Sequence, residues 1–251
     1  MDKNLHFKII KPGKLLADFV ESFWMLQNKS GSDKEIIVLP DGRIDLTFSR
    51  SAIEPFHITL SGLETYPEPA ILKPGTLIFA ISFKLPATEY IFHNSISGLL
   101  NYADHLPAGF WDFNEDDLKD FDKFCKKASQ KIQSLIPKEI DNRKLELFDL
   151  IYTSKGEMGV KELSEKVFWS SRQINRYFNQ QFGLSLKLYC NILRFRASLE
   201  HLAKGKLFPE LNFTDQSHFI KEVKKYAGVV PKELLKNKND RFIQFSVLAP
   251  G

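Results

Sequence analysis

The chain has 251 residues, of which 43% are hydrophobic and 26% charged, a composition typical of soluble globular proteins. It contains no apolar run long enough to cross a membrane and no apolar segment at its start, so we predict neither a membrane span nor a secretory signal. The two cysteines, Cys125 and Cys190, lie far apart and predict free thiols in the reducing cytoplasm rather than a disulfide framework.

The charge is divided unevenly along the chain. Residues 155–251 hold 17 Lys and Arg against 9 Asp and Glu, a net charge of +8. The preceding residues hold 18 against 22, a net charge of −4. A basic C-terminal part behind an acidic N-terminal part is typical of a nucleic-acid-binding module joined to a region with another role, and a chance partition of charge is the alternative.

The first part of the chain predicts β-structure. Short aromatic and β-branched runs, separated by turn residues, predict five strands: "ESFWMLQ", "EIIVLP", "RIDLTFS", "FHITLSG" and "GTLIFAISFKL". "PGKLLADFV" predicts a helix before the first of them. We therefore predict a mainly-β barrel or sandwich with flanking helices over residues 1–111.

Residues 112–155 predict a helical connector. Asn114 is the predicted N-cap of a helix, "NEDDLKDFDKFCKKASQKIQSLI", that Pro137 ends. Its apolar residues recur at alternating spacings of three and four: Leu118, Phe121, Cys125, Ala128, Ile132 and Leu135. Such a stripe either covers the β-structure or forms a dimer contact, and both alternatives stay open. "NRKLELFDLIYTS" predicts the next helix.

Residues 156–251 predict an all-α domain, which makes the whole chain α+β. "VKELSEKV" and "SRQINRYFNQQFG" are amphipathic, with Ser170 as the cap of the second and Gly183 as its end. Ser185 is the predicted cap of the long helix "LKLYCNILRFRASLEHLAKG". Thr214 is the predicted cap of "DQSHFIKEVKKYAG", and "RFIQFSVL", 241–248, predicts a late strand.

Two of these helices show polar faces suited to the DNA major groove, where base edges display hydrogen-bond donors and acceptors. The residues left after the predicted buried positions are removed are Arg172, Gln173, Asn175, Arg176 and Asn179 on the first helix, and Gln216, Ser217, His218, Lys221, Lys224 and Lys225 on the second. Arginine pairs with guanine and glutamine or asparagine with adenine, whereas Lys224 and Lys225 suit phosphates. A solvated helix surface is the alternative for each helix taken alone.

The stretches "SRQINRYFNQQFGLSLKLYCNILRFRASLEHL" and "NFTDQSHFIKEVKKYAGVVPKEL" resemble the two helix-turn-helix halves of the AraC/XylS transcription regulators. The resemblance covers about 159–235 and implies two recognition helices in the major groove. It also implies base contacts by Arg172, Asn175 and Arg176 in the first half, and by Gln216, Ser217 and Lys221 in the second.

The sequence departs from this family pattern before the second recognition helix. Only "KGKLFPELNF" fills an interval that usually holds a full helix, and it contains Pro209. Proline truncates a helix to about one turn or removes it. We therefore expect the family geometry to fail at the second motif rather than the first.

"ESFWMLQN" followed by "LPDGRIDLTFS" is similar to an uncharacterised sensor-type domain found before such DNA-binding domains in some bacteria. This implies effector binding, dimerisation or both. Asp41 and Gly42 are predicted turn residues, while Arg43 and Asp45 are either exposed or paired. Arg43 is a candidate carboxylate ligand, and Trp24 belongs to a group of aromatics that either line a pocket or pack in the core.

The leading hypothesis is a bacterial, cytoplasmic, homodimeric transcription regulator that binds double-stranded DNA, with RNA polymerase and a small-molecule effector as candidate partners. One alternative is a protein-interaction module with degenerate helix-turn-helix motifs. Another is a reactive-cysteine enzyme fused to a DNA-binding domain, although Cys125 and Cys190 lie among apolar residues and no catalytic motif is present. The sequence predicts no enzyme, no cofactor and no metal site.

Overall fold

The computed structural model describes residues 4–207 and 215–248. Its strands are β1 (Leu5–Ile10), β2 (Val20–Asn28), β3 (Lys34–Val38), β4 (Ile44–Arg50), β5 (His57–Ser61), β6 (Glu68–Leu72), β7 (Leu77–Phe83) and β8 (Ala103–Leu106). Six strands form an antiparallel sheet in the order β1-β2-β7-β4-β5-β8, and β3 pairs with β6 in a second, two-stranded sheet. The five predicted strands are confirmed, whereas β1, β6 and β8 were not predicted.

The alternation of side chains along the strands gives the six-stranded sheet two different faces. On β2 and β4, Phe23, Leu46 and Phe48 point into the main hydrophobic core, where Phe48 also contacts Phe124 with ring centroids 5.1 Å apart. Their neighbours in the sequence, including Trp24 and Asp45, point to the opposite face, toward the small sheet. Since successive residues of a strand project to opposite sides, one face is packed and the other borders a cavity between the sheets.

The helices in the described part of the chain are α1 (Pro86–Tyr90), α2 (Phe121–Leu135), α3 (Asn142–Thr153), α4 (Val160–Val167), α5 (Ser171–Phe182), α6 (Leu186–Ala203), α7 (Gln216–Ala227), α8 (Pro231–Lys236) and α9 (Ile243–Leu248). The α+β fold class is confirmed: a β-rich N-terminal region precedes a helical region.

The predicted helix from Asn114 is in fact two elements. Asn114 caps a short 3-10 helix, Glu115–Lys119, and the chain then becomes extended at Asp120, which caps α2 with its own carboxylate. The apolar stripe of this segment is buried from Leu118 to Ile132 and packs in the main core with the sheet. The stripe therefore covers the sheet, the first of the two alternatives.

Two further predictions of local structure were wrong. "PGKLLADFV" forms only a single 3-10 turn, Lys14–Leu16, before β2 begins. Residues 241–248 form no strand: Phe242 makes one isolated parallel bridge to Ile37, and the following residues form α9. Phe242 and Phe245 are buried at 0% and 2% exposure, three residues apart on one side of the helical segment, so packing overrides the β-propensity of "RFIQFSVL".

The hydrophobic interior runs from the sheet into the helical region. One cluster joins the helix-facing side of the six-stranded sheet to α2, α3, α4, α5 and the first half of α6, up to Leu193. A second cluster joins the rest of α6 to α7, α8 and α9. Helices α4 and α5 therefore share a core with the sheet, whereas α7 packs in the second cluster, which also includes Leu39 of the N-terminal region.

Candidate DNA interface and ligand cavity

Helices α4 and α5 form the first helix-turn-helix. Leu163, Val167 and Ile174 are buried, and α4 ends at Phe168, whose left-handed backbone (φ 52°) turns the chain toward α5. Ser170 then caps α5 as predicted, since its hydroxyl accepts a hydrogen bond from the backbone N–H of Gln173. The Phe168 side chain is 88% exposed at this turn, next to the start of the candidate recognition helix, and sequence reasoning did not single it out.

The outer face of α5 is cationic. Arg172 and Arg176 are exposed and four residues apart, so they lie on the same side of the helix. Neither makes an ion pair or a hydrogen bond with the described part of the chain. The helix contains no acidic residue, so both guanidinium groups are available to an anionic or hydrogen-bonding partner.

The other two predicted contacts on α5 are partly engaged within the helix. The Gln173 side-chain oxygen accepts hydrogen bonds from the backbone N–H and the hydroxyl of Ser170, at 3.0 and 2.6 Å. The Asn175 amide is half-buried and donates to the carbonyl of Ser171 at 2.9 Å. Gln173 keeps a free amide nitrogen, whereas Asn175 would have to give up a local hydrogen bond to contact a base.

The C-terminal end of α5 is attached to the N-terminal region. The hydroxyl of Ser95 donates to the carbonyls of Gln180 and Gln181 at 2.8 and 3.1 Å, and Ile96 N–H donates to the carbonyl of Gln181 at 2.9 Å. These bonds satisfy carbonyls that a helix end leaves free. Gly183 ends the helix as predicted, with φ 73° and no space for a side chain against Ser97. The position of α5 is thus fixed relative to the sheet.

Helix α7 carries the second polar face. Gln216, Ser217 and Lys221 are exposed, as are Lys224 and Lys225, while Phe219, Val223 and Tyr226 face the second core. The N-cap is Asp215, whose carboxylate accepts from His218 N–H at 2.8 Å, and not Thr214, which lies outside the described residues together with Pro209. Lys225 is held over the Tyr226 ring and donates to its hydroxyl at 3.2 Å, so Lys221 and Lys224 are the freer cations.

A cavity of about 350 Å³ lies between the two sheets and helices α6 and α9. Its walls are apolar over most of their area and include Trp24, Leu26, Ile36, Leu72, Ile78 and Ile243. The sequence left open whether Trp24 lines a pocket or packs in the core, and the structure places it in the cavity wall. It stacks on Phe7 with ring centroids 6.3 Å apart. A concave apolar wall with a few polar groups is the usual form of a small-molecule site.

Arg43 also borders this cavity, but it is paired. Its Nε and Nη2 donate to the Glu21 carboxylate at 3.2 and 2.9 Å, and its guanidinium lies over the Tyr152 ring at 4.7 Å. Burial raises the pKa of Glu21, but Arg43, Arg196 and Lys11 outweigh that effect and hold it well below its usual value. Arg43 is therefore committed to an internal carboxylate rather than open to a carboxylate ligand.

Asp45 and Glu64 are polar lining residues whose role the sequence did not reveal. Burial raises the pKa of Asp45 to about 7, with the charge of Asp41 adding to it, although Ser82 and Trp24 act in the opposite direction. Burial also raises the pKa of Glu64 to about 8, with Asp41, Asp45 and Glu68 adding to it. For Asp45, the signal in the sequence was a charged residue inside the strand run "RIDLTFS", between the buried Ile44 and Leu46.

The raised pKa of Glu64 predicts a pH-dependent loss of stability. The carboxyl ionises near 4.5 when the chain is unfolded and near 8 when it is folded, so ionisation opposes folding progressively as the pH rises between these values. We expect Glu64→Gln to stabilise the protein by about 1 to 2 kcal/mol at pH 9 and to have little effect at pH 4. Urea unfolding at both pH values measures this difference, and a Glu64→Gln variant that is less stable at pH 9 would contradict it.

Helix α6 lines this cavity and also packs against α5 and α7. Arg196 and Leu199 of α6 line the cavity, as do Ile243 and Gln244 of α9. At the other end of α6, the Tyr189 hydroxyl donates to the carbonyl of Gly42 at 3.0 Å. Gly42 has φ +73°, and a side chain there would meet Leu193 and Tyr189, so the predicted turn is also a close contact between sheet and helix.

The residues present do not form a reactive-cysteine site. Cys125 and Cys190 are both buried, and burial raises the pKa of each thiol to about 12, the opposite of the activation that a nucleophile needs. Among residues 4–207 and 215–248, no group of His, Cys, Asp and Glu is arranged to hold a metal ion. No helix in the same part of the chain is both long and apolar enough to span a membrane.

Comparisons with known proteins identify the N-terminal region only in general terms. Residues 8–103 match a family described as a domain of unknown function, DUF6597. No curated protein matches the sequence.

Solved structures of ToxT from Vibrio cholerae are similar to this chain at low identity. One, at 1.65 Å resolution, is 12% identical over 93% of this chain and 98% of its own, with a TM-score of 0.44. Another, bound to (E)-4-(8-methylnaphthalen-1-yl)but-3-enoic acid, is 13% identical over 93% and 99%, with a TM-score of 0.45. Similarity at this level establishes neither a shared function nor a shared ligand.

Proposed function

We propose that this protein is a sequence-specific DNA-binding transcription regulator whose activity responds to a small molecule in the cavity between the sheets. The observation that carries the DNA-binding part is the face of α5. Arg172 and Arg176 are exposed, unpaired within the described chain and placed at the open side of a helix-turn-helix. Arginines in this position contact guanine edges or phosphates in the major groove.

Helix α7 supplies the second DNA-contacting face of the proposed regulator. Gln216, Ser217 and Lys221 are the candidate base contacts, while Lys224 and Lys225 are placed for phosphates. Because α7 belongs to the second hydrophobic cluster, its position relative to α5 depends on how that cluster sits against the sheet. If this cluster had two arrangements, α7 would have two positions relative to α5. A change between them would switch on or off the binding of an operator with two half-sites.

The cavity offers a physical route for such a switch. The α9 residue Gln244 exchanges two hydrogen bonds with the backbone of Leu39, at 3.0 and 3.1 Å, and Ile243 forms part of the cavity wall. A ligand in the cavity therefore touches α6 and α9, both of which belong to the cluster that holds α7. A ligand that binds one arrangement of this cluster more tightly than another would shift the population toward the first.

A gel-shift titration with DNA flanking the protein's own gene tests the DNA-binding part. We expect a specific complex at least about 1,000-fold tighter than that with unrelated DNA at the same salt concentration, and an affinity that falls as salt is raised. Equal binding to all sequences, or no binding up to micromolar protein, would overturn it. The protein-interaction alternative predicts the second of these results.

A further inference from the structure

The polar end of the cavity is acidic. Asp41, Asp45 and Glu64 all line it, and none of them makes an ion pair with the described part of the chain. The Oδ1 atom of Asp45 is fully buried and has no hydrogen-bond partner there. A buried carboxylate oxygen without a donor is costly, and the Asp45 residue is only half-buried where it lines the cavity, so a donor placed there could approach its carboxyl group.

The place of Asp45 in the sheet explains why it faces the cavity. It lies on β4, a central strand, opposite Ser61 of β5 and Ser82 of β7. Its neighbours Ile44 and Leu46 are fully buried in the core on the other face, so a one-residue change of register would exchange them with the acid. The burial of Ile44 and Leu46 on the other face therefore fixes the side of the sheet to which the Asp45 carboxylate points.

The cations that line the cavity already contact a carboxylate of the protein. Arg43 and Arg196 both contact Glu21, at 2.9 and 3.5 Å, and Lys11 contacts the same carboxylate from the solvent side at 2.7 Å. Because these three cations lie against Glu21, the charged lining residues that have no ion-pair partner within the described part of the chain are Asp41, Asp45 and Glu64. Burial raises the pKa of Asp45 and of Glu64, and the neighbouring carboxylates add to the effect.

The rest of the wall selects an apolar body. Trp24, Ile36, Leu72 and Ile78 surround the space, and the Trp24 indole presents an aromatic surface beside the acidic end. A cation next to an indole and a carboxylate gains from both, most of all where water is excluded. The volume of about 350 Å³ lies at the lower end of the range for small-molecule sites, so the body is small.

We propose that the cavity binds a small amphipathic amine, with its ammonium group against Asp41, Asp45 and Glu64 and its aromatic or branched aliphatic body against Trp24 and the small sheet. This proposal names the ligand class of the regulatory site and so rests on the proposed function for its biological meaning. The binding itself does not depend on DNA. A ligand with a carboxylate head is disfavoured, because it would face three carboxyls and two arginines that already contact Glu21.

Calorimetry on the full chain at pH 7.5, without DNA, tests the proposal with a matched trio: 4-phenylbutylamine, 4-phenylbutan-1-ol and 4-phenylbutyrate. We expect the amine to bind at least about 10-fold more tightly than the alcohol and the carboxylate to show no binding. We also expect amine binding to release protons into the buffer, because the ammonium group favours the ionised carboxyls. The heat of binding will then vary with the ionisation enthalpy of the buffer.

Two variants assign the effect to the acidic end. Asp45→Asn is expected to weaken amine binding about 10-fold or more and to leave alcohol binding unchanged, and Glu64→Gln should act in the same direction. Asp104→Asn, which changes an exposed aspartate on β8, is the matched control and should change neither. Circular dichroism of each variant checks the fold.

The proposal is overturned if the carboxylate binds more tightly than the amine, if Asp45→Asn leaves amine affinity unchanged, or if phenethylamine, 4-phenylbutylamine and tryptamine all fail to bind at millimolar concentration. A gel shift with and without amine separates this outcome from failure of the proposed function. Amine binding without any change in DNA affinity refutes effector control and leaves the ligand class intact. Specific DNA binding without amine binding refutes the ligand class and leaves the DNA-binding part of the proposed function intact.

Discussion

The double substitution Arg172→Ala plus Arg176→Ala should lower operator affinity by at least about 30-fold while leaving the protein folded. Each arginine–guanine contact contributes about 1 to 3 kcal/mol, and a phosphate contact by either residue would add to the salt dependence. Both side chains are exposed and bind nothing within the described chain, so their loss removes no internal contact. Gel shifts at two salt concentrations measure the affinity and its slope.

The matched control for this experiment is Arg50→Ala plus Arg143→Ala. These two arginines are also exposed, but they form surface ion pairs with Glu115 and Asp141, outside the helix-turn-helix. The control removes the same net charge from the chain, so it should change specific affinity by no more than about 3-fold. An equal loss in both double variants would mean that α5 contributes only general charge, and an unchanged affinity in the first would mean that Arg172 and Arg176 do not contact the operator.

The substitution Glu21→Gln should destabilise the fold by about 2 to 4 kcal/mol at pH 7. It removes the anion that holds Arg43 and Arg196, and it leaves the Arg43 guanidinium charged with only 5% of its side chain exposed. Removing one partner of a buried ion pair is much more costly than forming the pair is favourable. Chemical unfolding of the full chain, followed by far-UV circular dichroism, measures the change.

The pH dependence of this effect identifies its cause. The folded-state pKa of Glu21 lies well below 4.5, the value for the free group, so its charge stabilises the fold above about pH 4.5 and that contribution is lost as the pH falls. The gap between the wild-type protein and Glu21→Gln should therefore be full at pH 7 and narrow below pH 4.5. Glu233→Gln is the control, because the side chains of Glu233 and its partner Arg241, 3.1 Å apart, are 54% and 38% exposed. That variant should lose less than about 1 kcal/mol.

Local sequence signals were sufficient where short-range chemistry determines structure. The caps Ser170 and Ser185 and the helix stops Gly183 and Gly228 lie where their residue types predict. Strand β6 escaped prediction because Pro69 and its neighbours read as a turn, although an edge strand paired on one side accepts a proline. The C-terminal strand was wrong because burial of Phe242 and Phe245 against distant residues, which no local pattern contains, decided the conformation.

The candidate site could likewise be predicted only in part from the sequence. The polar face of α5 could be predicted, since helical periodicity separates Arg172 and Arg176 from the buried Ile174 and Phe178. The acidic end of the cavity could not, because it joins residues from separate segments, Asp41, Asp45 and Glu64, through sheet pairing. Arg43 drew attention as a cation in a turn, but its partner lies 22 residues earlier in the chain.

The continuous core has a consequence for protein engineering. A chimera that combined the sheet of one protein with the helices of another would be made by cutting the chain at the junction between α3 and α4. In this protein such a cut, near residue 155, would divide one hydrophobic cluster that includes Phe148 on one side and Phe178 on the other, with ring centroids 5.8 Å apart. A working chimera should therefore carry α4, α5 and the start of α6 together with the sheet. New operator specificity would then be built through α7 or through surface substitutions on α5.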